Sequence, residues 1–239
     1  MIQFVKRINE DTPFYEQGVA KDIFSWKELE NLLNLRPFIN NKRFNFINSD
    51  THMFEREAWL TDLNSWPAKK LDKVINDAVC YIRDCSRANK KINDICKLIE
   101  DEWNYPTDAH IFFSLVEGEK GEGLKSHWDF SHNIIIQVEG ESNFKVWNEQ
   151  YKEGDHFLTP KTEPVIDVIM KTGDLIFIPK YMLHQVIPLS KRLSVSFPMN
   201  NDTKIKPQDR HWIQLKNGEY YEIIIFNITF TINIMLIYA

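Results

Sequence analysis

The sequence predicts a mainly β protein whose strands close into a compact antiparallel sandwich or barrel, with helices placed ahead of them. Two observations carry this. Before residue 105 apolar residues recur at helical spacing, and after Pro106 the chain changes to the short runs IFFSL, NIIIQVEG, NFKVW, VIDVIM, DLIFIP and RLSVSFP. These runs are rich in β-branched and aromatic residues and are punctuated by Gly, Pro and Asn, the pattern of short strands joined by tight turns.

In the first half, Phe24, Trp26, Leu29, Leu32 and Leu33 predict an amphipathic helix from about Ile23 to Leu35, closed by Pro37. A second helical region is expected from about Ala68 to Glu102. There Leu71, Val74, Ile75, Ala78, Val79 and Ile82 form one stripe and Ile92, Ile95, Cys96, Leu98 and Ile99 another, with the polar run SRANKK between two helices. The expected organisation is a helical part over 1–104 packed on the core, a core over 105–200, and a C-terminal extension over 201–239. In that extension Ile224, Phe226, Ile228, Phe230, Ile232, Ile234 and Leu236 alternate with polar positions such as Asn227, Thr229, Thr231 and Asn233. A period of two predicts a long strand. A membrane helix needs about 20 predominantly apolar residues, so no membrane insertion is expected. A strand this apolar on one face invites pairing, either across the core or with a second copy in a homodimer.

The 239 residues, 43% hydrophobic and 13% aromatic, suffice for one main core. A charged fraction of 26% and a formal charge of -5 give no electrostatic reason to expect nucleic acid or an acidic membrane as partner. Cys80, Cys85 and Cys96 are odd in number, lack a CxxC spacing and lie in a stretch that reads as helical. They are expected to be inert thiols in a reducing compartment. The segment MIQFVKRINEDTPF mixes charge into its apolar residues, so no secretory signal and a cytoplasmic location are expected.

The chemistry concentrates around SHWDF. His127 and Asp129 are two residues apart, so at the end of an extended strand both side chains point to one face. His184, in YMLHQV, follows the run GDLIFIP, and a sandwich can fold it back opposite the first pair. Two histidines and one carboxylate on one face of an iron leave positions open for a cosubstrate and dioxygen, the arrangement of non-haem iron(II) oxygenases.

HWDFSHNIIIQVEGESNFKVW resembles the metal-bearing half of the jumonji-C/cupin-like 2-oxoglutarate oxygenases, and GDLIFIPKYMLHQVIPLSKRLSVSFP resembles the half that returns the distal histidine. The resemblance covers residues 105–200. It implies a double-stranded β-helix, the cupin-like jelly roll, with Fe(II) held by His127, Asp129 and His184. It further implies 2-oxoglutarate as cosubstrate, decarboxylated to succinate with dioxygen as oxidant. Protein hydroxylases of this family carry a Lys or Arg two residues beyond the hairpin glycine, where this chain has Ser142. Two other cations are candidates to grip the distal carboxylate of 2-oxoglutarate: Lys145, three residues further on, and Arg192, which shares a strand face with Ser194 in the Arg-x-Ser pattern of many relatives. Asn133 stands where the asparaginyl-hydroxylase branch places a cosubstrate-contacting amide, and Gln137 falls on the same strand face. Trp128 and Trp147 are expected to pack, His132 and His156 to lie at the surface, and the loop from Glu117 to Lys125 to border the metal mouth.

Three functions compete. The first is a 2-oxoglutarate-dependent hydroxylase or demethylase acting on a small molecule or a protein side chain. The second is a metal-dependent cupin dioxygenase or isomerase that dispenses with 2-oxoglutarate, which Ser142 favours. The third is a silent cupin-like binding module, against which the intact metal-competent residues argue.

Overall fold

Two antiparallel sheets form from the strand runs, and each apolar stripe of the sequence finds a sheet face to cover. The computed structural model describes residues 11–35, 38–40, 42–47, 54–55, 68–115, 123–200 and 210–213. In chain order the elements are β1 (Phe14–Glu16), α1 (Trp26–Leu33), β2 (Phe44–Ile47), β3 (Phe54–Glu55), α2 (Ala68–Asp77), β4 (Val79–Ile82) and α3 (Lys90–Trp103). The second half gives β5 (His110–Ser114), β6 (His132–Glu139), β7 (Ser142–Gln150), β8 (Ile166–Met170), β9 (Leu175–Ile178), β10 (Met182–Pro188) and β11 (Arg192–Met199). The larger sheet runs β1-β9-β6-β11-β5-β4-β2-β3 and the smaller β10-β7-β8. The mainly β architecture expected from the sequence is borne out by these two sheets.

The helices start where the sequence offers caps. Ser25 accepts the Glu28 N–H ahead of α1, which satisfies one otherwise orphaned donor of the first turn, and donates its hydroxyl to the Glu28 carboxylate at 2.8 Å. Asn89 does the same for the Ile92 N–H at 2.7 Å, and α3 stops at Asn104 in a left-handed conformation. Leu29 and Leu32 of α1 and Ile92, Ile95, Cys96 and Ile99 of α3 join one core cluster with Ile111, Ile134, Val195 and Phe197 of the larger sheet. A second cluster, with Ile135, Phe144, Val146, Ile176 and Met182, fills the space between the sheets. The larger sheet is thus covered on both faces, which is why β6 and β11 are buried almost throughout.

One expectation is corrected. Val79 and Ile82 do not continue the helical stripe of Leu71 and Val74; VCYI is strand β4, paired with β2 through Phe46↔Cys80 and with β5 through Tyr81↔Phe112. A four-residue apolar run fits either period, and the unpaired edges of β2 and β5 decide it. The part before residue 105 therefore supplies β1, β2, β3 and β4 to the sheet as well as helices. Cys80, Cys85 and Cys96 are free and buried. The expected strand over 224–236, and with it pairing to a second copy, lies outside the described residues, as does the expected loop from Glu117 up to residue 122. Among the described residues no helix is long and apolar enough to cross a membrane.

The turn between β6 and β7 rests on Gly140, at φ +74°, where a Cβ would run into the Lys191 carbonyl. Gly140→Ala combines a left-handed backbone penalty with this collision. It is expected to destabilise the protein by about 2 kcal/mol or more, measured by urea denaturation.

Candidate metal centre

His127 and His184 are 57 residues apart, yet face each other as a cross-strand pair. The His127 N–H donates to the His184 carbonyl at 2.9 Å and the His184 N–H returns a bond to the His127 carbonyl at 2.8 Å. Two exchanged bonds fix directly opposite residues of an antiparallel pair, and the imidazole centroids stand 4.3 Å apart. On its other side His127 bridges to Phe157, so the SHWDF segment lies between β10 and the excursion that joins β7 to β8.

Both rings are oriented by the backbone. The Nδ1 of His127 lies 2.8 Å from the Lys125 carbonyl and that of His184 2.9 Å from the Met182 carbonyl. A carbonyl only accepts, so each Nδ1 carries the proton and each Nε2 is left with a lone pair. Asp129 completes the group: its Oδ2 is 3.6 Å from His184 Nε2, and one ligand atom from each of the three residues lies within 4.8 Å of the others. Asn133 donates its amide to Asp129 Oδ2 at 2.9 Å and accepts the Ser196 hydroxyl at 3.3 Å. Burial, then the neighbouring His184, push His127 down to about 3, against the pull of Asp129. At neutral pH its imidazole is uncharged and ready to donate to a metal. Two imidazoles and one carboxylate are a donor set that fits Fe(II).

The centre opens into a cavity of about 180 Å³. Arg192, Ser194 and Ser196 line it from β11, Asn133 and Ile135 from β6, and Tyr81 and Phe112 from the neighbouring strands. Strand parity explains this set. Leu193, Val195 and Phe197 belong to the helix-side cluster, so Arg192, Ser194 and Ser196 turn to the other face. Arg192 is 3% exposed, and among the described residues no carboxylate compensates it: its contact there is the Ser194 hydroxyl at 3.4 Å, while its Nε has no partner. Burial pulls its guanidinium down to about 10, so it stays charged at neutral pH.

The sequence-predicted residues separate here. Arg192, Ser194 and Asn133 line the cavity with His127, Asp129 and His184; Lys145 does not. The expectation for Lys145 is corrected, because Phe144 and Val146 take the inward positions of β7, and Lys145 faces out toward Asp167 at 3.7 Å. Ser142 is buried with no hydrogen-bond partner for its hydroxyl among the described residues, and Gln137 is fully buried. Trp128 and Trp147 are buried packing residues, as expected. His132 is not a surface residue, and His156 is half-buried. His132 is 1% exposed and stacks between Tyr105 and Phe177 at 6.0 and 5.8 Å, since it opens a strand buried on both faces. His156 lines the cavity, carried there by an excursion that Ser126, His127 and Trp128 pin to the metal segment. Sequence reasoning also missed Tyr81, stacked on Phe112 at 4.4 Å, and His110 beside it. For His110 and Phe112 the strand parity of IFFSL carried the signal; for Tyr81 the helical reading of its segment hid it.

Residues 87–206, half of the chain, match the family model of the JmjC domain. The chain belongs to this family, that of the JmjC/cupin Fe(II)/2-oxoglutarate oxygenases. It is similar to the bifunctional lysine-specific demethylase and histidyl-hydroxylase NO66 of Drosophila simulans, 21% identical over 119 residues, 46% of this chain and 14% of that protein. It is also similar to the protein of the same description from Caenorhabditis elegans, 26% identical over 107 residues, 41% of this chain and 14% of that one. The chain thus matches about a seventh of the length of these relatives. Among solved structures, the ribosomal oxygenase YcfD from Escherichia coli in complex with cobalt and 2-oxoglutarate has the same fold, with a TM-score of 0.60 at 16% identity over 95% of this chain and 65% of that one.

A depressed histidine makes the metal-free protein acid-sensitive. Below about 6.5, the ordinary histidine value, the unfolded chain binds a proton at this position, while the folded chain declines it until about pH 3. Stability therefore falls as pH drops through this window. Between pH 6.5 and 5 His127 is expected to account for about 2 kcal/mol of lost stability. Urea denaturation at both pH values should show this component in the parent protein and not in His127→Gln.

Proposed function

We propose that this chain is a non-haem Fe(II)- and 2-oxoglutarate-dependent oxygenase that hydroxylates, or through hydroxylation demethylates, its substrate. The observation that carries the reading is the guanidinium of Arg192, which has no counter-ion among the described residues, in the wall of the cavity that also holds the His127–Asp129–His184 group. A buried charge without a counter-ion is costly, and the distal carboxylate of 2-oxoglutarate is an anion of the right geometry for a guanidinium fork. Ser194 stands beside it to add a hydroxyl donor.

In this reading His127 and His184 donate through Nε2 and Asp129 through its carboxylate. When bound, Fe(II) supplies a site where dioxygen and the 2-oxo acid meet, so that reduction of dioxygen is balanced by decarboxylation to succinate and oxidation of one substrate C–H bond. The protein's own contribution is placement. Backbone carbonyls fix the imidazole tautomers, Asn133 fixes the carboxylate, and Arg192 with Ser194 fixes the cosubstrate's far end. The cavity walls of Tyr81, Phe112 and Leu124 exclude water from the reacting groups. A protein side chain is the substrate class we favour, supported by the activities for which the NO66 relatives and the ribosomal oxygenase YcfD are named. A cytoplasmic location belongs to the same reading, resting on three buried free thiols.

Anaerobic titration of Fe(II) and then 2-oxoglutarate, followed by the metal-to-ligand charge-transfer band, tests the proposal. Arg192→Ala should weaken 2-oxoglutarate binding by about 2–4 kcal/mol, roughly 30- to 1000-fold. Arg192→Lys should recover part of this, Lys145→Ala should bind as the parent does, and Fe(II) affinity should hold in all three. His184→Ala should lose Fe(II) affinity by about tenfold or more. Unchanged 2-oxoglutarate binding in Arg192→Ala would favour a metal cupin that dispenses with this cosubstrate, and full iron occupancy in His184→Ala would overturn the ligand set.

A further inference from the structure

Four described residues other than glycine have positive φ: Asp22, Asp84, Asn104 and Tyr181. Three are Asp or Asn, which tolerate the left-handed region; a bulky aromatic there is an outlier. Tyr181, at φ +67°, is the third residue of the turn closed by the Met182 N–H on the Pro179 carbonyl at 3.2 Å, a position that favours Gly or Asn. Such a conformation persists where its surroundings over-determine it, and it clusters at functional sites.

The surroundings of Tyr181 converge on the metal segment. Its N–H donates to the Asp129 carbonyl at 2.6 Å, and its own carbonyl accepts the Tyr151 N–H at 2.9 Å. Its ring meets Trp128 and Phe130, the residues on either side of Asp129, with centroids at 5.9 and 6.2 Å. Phe130 is 68% exposed, so these contacts lie at the rim and not in the core. Asp129 needs such a hold. The reciprocal bonds of His127 and His184 end two residues before it, and its carboxylate is tied by Asn133 at one oxygen.

We propose that Tyr181 is a positioning residue for Asp129: its left-handed backbone aims an N–H at the Asp129 carbonyl and so sets the height at which the carboxylate meets the metal. This rests on the metal-site reading above. The ring, packed against Trp128 and Phe130, holds the backbone in a region it would otherwise leave. Backbone conformation, not the phenol, is therefore what the centre requires.

The test compares Tyr181→Phe, Tyr181→Gly, Tyr181→Ala and Tyr181→Val by anaerobic Co(II) titration followed through the visible absorption of the metal, with amide exchange over residues 128–131 measured on the metal-free proteins. Phe keeps the ring and Gly adopts positive φ freely, so both are expected to bind Co(II) within about threefold of the parent. Val, β-branched and excluded from that region, is expected to bind about tenfold or more weakly and to exchange faster over 128–131. Ala should fall between, so the ordering survives if Val fails to fold. A Val or Ala protein with parent affinity and parent exchange would overturn the proposal, and so would Gly losing as much as Val. A parent protein that binds no Co(II) would instead refute the metal site, while the exchange ordering would still decide the role of Tyr181.

Discussion

The pair of backbone hydrogen bonds between His127 and His184 is the constraint on which the centre depends. Side chains alone could not bring two imidazoles from distant stretches to a centroid separation of 4.3 Å without a large loss of rotamer freedom. The ladder performs that ordering during folding, as a by-product of pairing the SHWDF segment with β10. Each ring then finds a carbonyl two residues upstream, at Lys125 and Met182, so proton position and ring direction follow from the same backbone path. The order is pairing first, tautomer second, lone pairs last.

The cavity wall obeys a different logic. A strand covered on both faces is ordinarily apolar on both, and β11 breaks that rule with Arg192, Ser194 and Ser196 on its inner side. Buried hydroxyls can satisfy one another or a neighbour, as Ser196 does with Asn133. A guanidinium cannot be satisfied by a hydroxyl at 3.4 Å. Among the described residues the charge of Arg192 therefore has no counter-ion, and in the proposed function the cosubstrate's carboxylate supplies one. The same inner face places Arg192 in one cavity with the histidines, because β11 pairs with β6 and β6 carries Asn133 toward Asp129.

Much of this was legible in the sequence, and the failures have physical causes. The HxD spacing placed His127 and Asp129 on one face because strand parity is strict over two residues. Parity is read more surely at Arg192 than at Lys145, since no turn interrupts RLSVSFP, whereas the hairpin at Gly140 leaves the phase of β7 open until pairing sets it. VCYI was misread because four residues cannot distinguish periods, and with it went Tyr81, a wall of the cavity. His156 was illegible for another reason. It sits in an irregular excursion whose course is fixed by long-range bonds to Ser126 and Trp128, and no local pattern encodes those.

Strand β4 lies before residue 87, outside the stretch that matches the JmjC family, yet it reaches the cavity through its ladder to β5. At Tyr81 the cavity wall is therefore contributed by a length of chain outside that stretch, while Phe112 and His110 beside it lie within it. A change of side chain at Tyr81 alters this wall without altering the backbone that carries the ligands or Arg192. The ladder between β4 and β5 is the joint across which Tyr81 is fitted to the rest of the wall.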